Sequence, residues 1–144
     1  MKLTTMILGS VSAAVVAVPL LASAAAAQES LYVPLLTYRT GAFAGSGIPI
    51  ANGMNDYLQM LNARDGGIGG VKIIFEECET GYATDRGVEC YERLKSRKPV
   101  AVNPLSTGIT YALTEKVPND KIVLFTTGYG RADSVDGSVF HWNF

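Results

Sequence analysis

The chain has 144 residues, with 12 Lys and Arg against 13 Asp and Glu and a formal net charge of −1. A balance this even, with both signs mixed along the chain, offers no basic stripe for a nucleic-acid backbone or an anionic membrane surface. The length bounds it to one small domain, and no internal repeat, low-complexity tract or Lys/Arg block is present.

Residues 1–27 read as an export signal. Met1 and Lys2 give a short positive start, an apolar run occupies residues 3–21, and small residues at 22–27 suit a signal peptidase. Cleavage is expected after Ala27, with Ala24 the alternative. The competing reading is a membrane anchor, but Gly9, Ser10 and Ser12 dilute a run barely long enough to span a bilayer. No cysteine follows that could carry a lipid, so a soluble, exported product of residues 28–144 is expected.

The remaining elements alternate. Residues 32–37 predict an apolar strand, with Pro34 pointing to a strand start or a sheet edge. A Gly-rich loop at 38–47 leads to a helix with Ser46 as its N-cap and Pro49 in its first turn. Met54, Tyr57, Leu58 and Leu61 share a face of that helix, which stops at Asn62. The glycine cluster at 66–70 turns the chain into a second strand at 71–77.

A second helix is predicted over 84–96, a third strand at 99–102, and a third helix opening at Ser106, Thr107 and Gly108 with Ile109, Ala112, Leu113 and Val117 inward. A fourth strand at 122–125 and the start of a fifth at 139–144 complete the pattern. Apolar strands joined by amphipathic helices require a parallel sheet covered on both faces, so an α/β, doubly wound arrangement is expected.

Cys78 closes the second strand. Cys90 shares the helical stripe of Ala83, Gly87, Tyr91 and Leu94, which turns it toward that strand end. In an oxidising compartment the pair reads as a disulfide, the alternative being two separate buried thiols. A metal site is not expected from two thiols and a distant His141.

Ligands of doubly wound sheets sit outside the carboxyl ends of the strands. Two of the loops there combine hydroxyls with exposed amides. Ser106 and Thr107 precede a helix, where free N–H groups favour a carboxylate, the plain alternative being an ordinary N-cap. Thr126, Thr127 and the Gly128 amide present similar donors. Tyr38 and Tyr129 could wall an apolar ligand or be half-exposed surface aromatics; Arg39 could meet a carboxylate or be a solvated loop charge. Glu76, Glu77, Glu79 and Asp85 surround a strand end, but alternation sends Glu76 and Glu77 to opposite faces, so they read as solvated or cap-forming.

Nucleotide motifs are missing. Ile50 stands where the dinucleotide fingerprint beginning at Gly45 needs its last glycine, and no Gly-Lys-Ser/Thr occurs. No nucleophile–base arrangement suggests a hydrolase. No cofactor is expected.

PLLTYRTGAFAGSGIPIANGMNDYLQMLNARDGGIGGVKI (34–73), VNPLSTGIT (102–110) and IVLFTTGYG (122–130) together resemble the N-terminal part of the branched-chain amino acid-type substrate-binding proteins of ABC importers. The resemblance covers essentially all of residues 28–144. It implies the N-terminal lobe of a type I periplasmic binding fold, a non-catalytic role, a periplasmic location, a small solute as ligand and an ABC permease as partner. It places the solute's carboxylate at Ser106 and Thr107 and at the loop of Thr126, Thr127, Gly128 and Tyr129, with Tyr38 near the mouth. Gly128-Tyr129-Gly130-Arg131 departs from the Ala-Thr-type loop of many amino acid binders, which counts against an aliphatic amino acid and leaves an aromatic acid, amide or urea-like solute open. The type I fold has two lobes, and the chain ends within a predicted strand, so a fragment is expected. A sensing domain of similar fold, a secreted α/β enzyme and a stand-alone flavodoxin-like domain are the alternative readings.

Overall fold

In a computed structural model, which describes residues 30–126 and 138–141, β1 (Leu31–Thr37) lies parallel to β2 (Ile73–Glu79), pairing Leu31 with Ile73 and Thr37 with Glu79. β3 (Ala101–Val102), β4 (Val123–Thr126) and β5 (Val139–His141) form a second parallel set in that order. The sets are joined on the far side of β1 by a parallel bridge from Leu35 to Asn103 and by the Val100 N–H, which donates to the Tyr32 carbonyl at 3.2 Å. The strand order is therefore β2-β1-β3-β4-β5.

This order corrects the reading of Pro34. The proline lies mid-strand in β1, between β2 and β3, not at an edge. Strand alternation aims its backbone toward β3, as for Tyr32, and its missing N–H falls on the seam where pairing shrinks to an isolated bridge.

Reversal of chain direction after β2 puts helices on both faces. α1 (Ala44–Asp65) packs on β1 and β2 from one side. α2 (Thr84–Leu94) packs on the same two strands from the other, beside α3 (Thr107–Thr114) and α4 (Lys116–Asp120). Alternate strand residues then divide. Leu36, Cys78, Val102, Leu124 and Val139 join Tyr91, Leu94, Ile109, Leu113 and Val117 in the main core. Burial of these side chains, at roughly 1.5–3 kcal/mol each, dominates the stability of the layer. Among the described residues the opposite face is covered by α1 alone, leaving Phe125 and Phe140 with ring centroids 5.5 Å apart and 40% and 47% exposed.

The expected stripe of α2 is the one observed: Gly87, Cys90, Tyr91 and Leu94 are buried. Gly87 is a contact residue, because a Cβ there would overlap the Ile109 side chain and force α2 away from α3. A disulfide joins Cys78 to Cys90, with Cα atoms 6.0 Å apart, and ties the end of β2 to the middle of α2.

Several boundaries differ from expectation. α1 begins at Ala44 and runs to Asp65, so Ser46 lies inside its first turn and Pro49 beyond it. Its start is closed by backbone instead, the Phe43 carbonyl accepting from Ser46 and Gly47. The end is set by Gly66 in the left-handed region. β2 begins two residues late because Val71 and Ile68 exchange hydrogen bonds of 3.0 and 2.9 Å that close the glycine turn. α2 gives way after Leu94 to a short 3₁₀ turn, Lys95–Arg97.

Candidate functional site at the carboxyl ends of the strands

The chain leaves β1 toward β2 and later returns past it to β3, so the helices that follow β1 and β3 lie on opposite faces and the carboxyl ends of these two strands form a topological switch point. That is the switch point at which doubly wound sheets of this order bind ligands. The residues bordering it come from the β1–α1 and β3–α3 loops, with the β2–α2 loop alongside.

At the β3–α3 loop, Asn103 Oδ1 accepts the Leu105 N–H at 3.3 Å, and Leu105 adopts a left-handed φ of 49° that a Leu rarely takes. The turn presents Ser106 as the N-cap of α3. Its hydroxyl accepts the Ile109 N–H at a long 3.4 Å, and the residue is buried. Thr110 fastens this helix end: its hydroxyl donates to the Ser106 carbonyl at 2.8 Å and meets the Thr126 hydroxyl at 2.5 Å. Both threonines are fully buried, so the start of α3 is pinned to the end of β4. Thr107 is half-buried and Gly108 exposed, and the first amides of α3 have no acceptor within the helix. Such an end attracts an anion.

Two carboxylates organise the neighbouring loops. Glu77 faces α1 and receives Arg39 bidentately, the Nη2 bond measuring 3.0 Å, with Thr37 Oγ1 at 2.7 Å and Asn55 Nδ2 at 3.1 Å. The Arg39 guanidinium, helped by Thr37 and Asn55, holds this carboxyl below its ordinary range against the opposing effect of burial. Glu79 accepts the backbone N–H of Arg39 at 2.7 Å, of Thr40 at 3.2 Å and of Gly81 at 2.8 Å, and the Thr40 hydroxyl at 3.0 Å. Burial pushes Glu79 up, but these donors outweigh it and the net direction is down. Glu76, on the other face, pairs with Arg93 and Arg97, as strand alternation requires.

The acids are thus neither free nor an acid/base pair. Glu79 is the residue that clamps the β1 and β2 exits together, and sequence reasoning passed over that role. Arg39 is neither a solvated charge nor an open carboxylate receptor, because Glu77 and Asn52 Oδ1, at 2.8 Å, occupy its guanidinium.

The aromatics also sort differently. Tyr38 is only 7% exposed, its ring lying over Gly47 of α1, where a Cβ would overlap it. Tyr82 stands edge-on to Tyr38 with centroids 4.9 Å apart and meets Phe43 at 4.6 Å. Phe43 is 55% exposed. Tyr82 was not singled out from sequence; its left-handed φ of 65° is a tertiary feature that the residue type conceals. Thr127, Gly128, Tyr129 and Trp142 lie outside the described residues.

The family model described as "Periplasmic binding protein" matches residues 30–144. Among curated proteins none matches significantly. Solved structures do. A protein from the Pseudomonas fluorescens group, titled an ABC transporter permease, is 42% identical over 77% of this chain, with a TM-score of 0.71. Two more distant ones share the fold. The substrate-binding protein of the Streptococcus pneumoniae branched-chain amino acid transporter, solved with isoleucine, is 19% identical over 81% of the chain, with a TM-score of 0.72. An R. palustris ABC transporter solute-binding protein, solved with benzoate, is 23% identical over 78%, with a TM-score of 0.63. The chain spans only 29%, 34% and 32% of these three structures respectively.

Proposed function

The chain belongs to the periplasmic binding protein family, and from that premise we propose that it captures a small carboxylate- or amide-bearing solute for an ABC permease. The carrying observation is the start of α3 at the β1/β3 switch point. A buried Ser106 cap, a half-buried Thr107 and the amides of Thr107 and Gly108, left over after Ser106 takes the Ile109 N–H, stand at the carboxyl end of the sheet. Binding, not catalysis, is the chemistry such a site offers: hydrogen bonds to an anion, with charge supplied by the helix end.

In this reading residues 1–27 are removed on export to the periplasm, and residues 28–144 form part of the N-terminal lobe of a two-lobed binder. The second lobe closes over the solute and completes its contacts. Amino acids, aromatic acids and amides are the solute classes in view. Thr127, Gly128 and Tyr129 are proposed to extend the donor set, with Tyr38 buried against Tyr82.

The test is a thermal-shift panel on the protein extended to the length of its relatives, comparing small carboxylates with their methyl esters. A class of acids that raises the melting temperature while its esters do not is the expected result. Stabilisation by the esters as strongly as by the acids would remove the carboxylate from the reading.

A further inference from the structure

We propose that Tyr82, backed by Tyr38 and flanked by Phe43, is the specificity-determining wall of this solute site and selects a carboxylate whose apolar part is an aromatic ring. The inference rests on the solute-binding reading above and adds to it the class of solute.

Three observations converge. First, the β2–α2 loop that carries Tyr82 lies directly beside the anion-binding helix end: a Cβ built on Gly108 would stand 2.7 Å from Thr84 Oγ1. Tyr82 is two residues before Thr84, and Gly108 is in the first turn of α3. A carboxylate at Thr107 and Gly108 therefore has its other end within reach of this loop.

Second, the ring is held in place from several sides. Tyr82 adopts φ 65°, a conformation costly for a bulky side chain, which the fold maintains through specific hydrogen bonds. The Tyr82 N–H donates to Thr80 Oγ1 at 3.2 Å, that hydroxyl donates to the Thr37 carbonyl at 2.8 Å, and Glu79 holds the adjacent Gly81 amide. Strain maintained at a strand end, next to a switch point, marks a positioned side chain.

Third, the wall is aromatic throughout. Tyr38 is buried behind Tyr82, whereas Tyr82 is half-buried and Phe43 keeps 55% of its surface in solvent. Two rings 4.6 Å apart and tilted by 50° form an angled surface suited to the edge or face of a third ring. An aliphatic chain would gain the area but not the quadrupole term.

The experiment is calorimetric titration of the protein at its relatives' length with phenylacetate and cyclohexylacetate, which share a carboxylate and differ in the ring. The unaltered protein is expected to prefer phenylacetate by about five-fold, the ratio an aromatic pair contributes beyond area. Tyr82→Asn removes the ring with a residue that tolerates left-handed φ, and should bring the preference to about one-fold. Tyr82→Phe should keep it. A preference unchanged in Tyr82→Asn, or equal weakening of both probes, overturns the wall. Binding of neither probe by the unaltered protein overturns the aromatic class, while stabilisation by other carboxylates would leave the solute-binding reading standing.

Discussion

Gly47 and Gly53 lie on the same helix and call for opposite substitution effects. At Gly47 a Cβ would overlap the carbonyl oxygen and ring of Tyr38, neither of which can move without displacing the exit of β1. Gly47→Ala is expected to cost about 3 kcal/mol in urea unfolding. At Gly53 nothing lies within 4 Å, so Gly53→Ala should stabilise by about 0.5–1 kcal/mol through the unfolded chain's lost freedom. If both substitutions destabilise alike, the close approach of Tyr38 is wrong. Glu77 makes a separate claim on pH. Its folded carboxyl titrates below the ordinary range, so the stability it contributes is full above about pH 4.5 and is lost as pH falls through the folded value. Thermal melts of Glu77→Gln from pH 7 to 3 should fall less steeply than those of the unaltered protein; parallel curves would mean that Arg39 does not hold this carboxylate.

Among the elements, α2 was the most legible. Its buried stripe of Gly87, Cys90, Tyr91 and Leu94 follows from apolar and small residues at helical spacing, and that stripe turned Cys90 to Cys78. The bond closes a separation of 12 residues. Replacing both cysteines by Ala should cost about 3 kcal/mol in the same unfolding assay; no change would mean the pair is not bridged in the protein as made. The start of α1 was less legible. Ser46 and Pro49 carry the usual signals of a helix start, but the backbone turn at Phe43 initiates the helix earlier, and such turns leave no side-chain signature. Pro34 misled for a related reason: the rule that excludes proline from central strands assumes a full ladder, and the β1–β3 seam has only a bridge there. Ser106 was legible as the N-cap of α3, the plainer of its two readings, because its residue type and its capping geometry coincide. Glu79 and Tyr82 were missed because one acts through backbone amides of another loop and the other through a φ that its residue type does not announce.

At the scale of the molecule, the two faces of the sheet are unequal. Among the described residues α2, α3 and α4 close one face, whereas α1 leaves an apolar groove of about 490 Å³ bordered by Val33, Tyr57, Ile68, Ala101 and Phe125. An apolar dye should bind there, and Phe125→Ser with Phe140→Ser should reduce its fluorescence several-fold. The start of α3 is built independently of that groove, by Thr110 and Thr126 behind Ser106. The measurement that bears most directly on the whole account is calorimetric titration of Ser106→Ala, at the relatives' length, with the best acid from the ester-controlled panel. Affinity is expected to fall at least about ten-fold while stability drops by only about 1 kcal/mol, the worth of a cap made by a long hydrogen bond. Unchanged affinity with the same small loss of stability would reduce Ser106 to a helix cap and place the solute elsewhere.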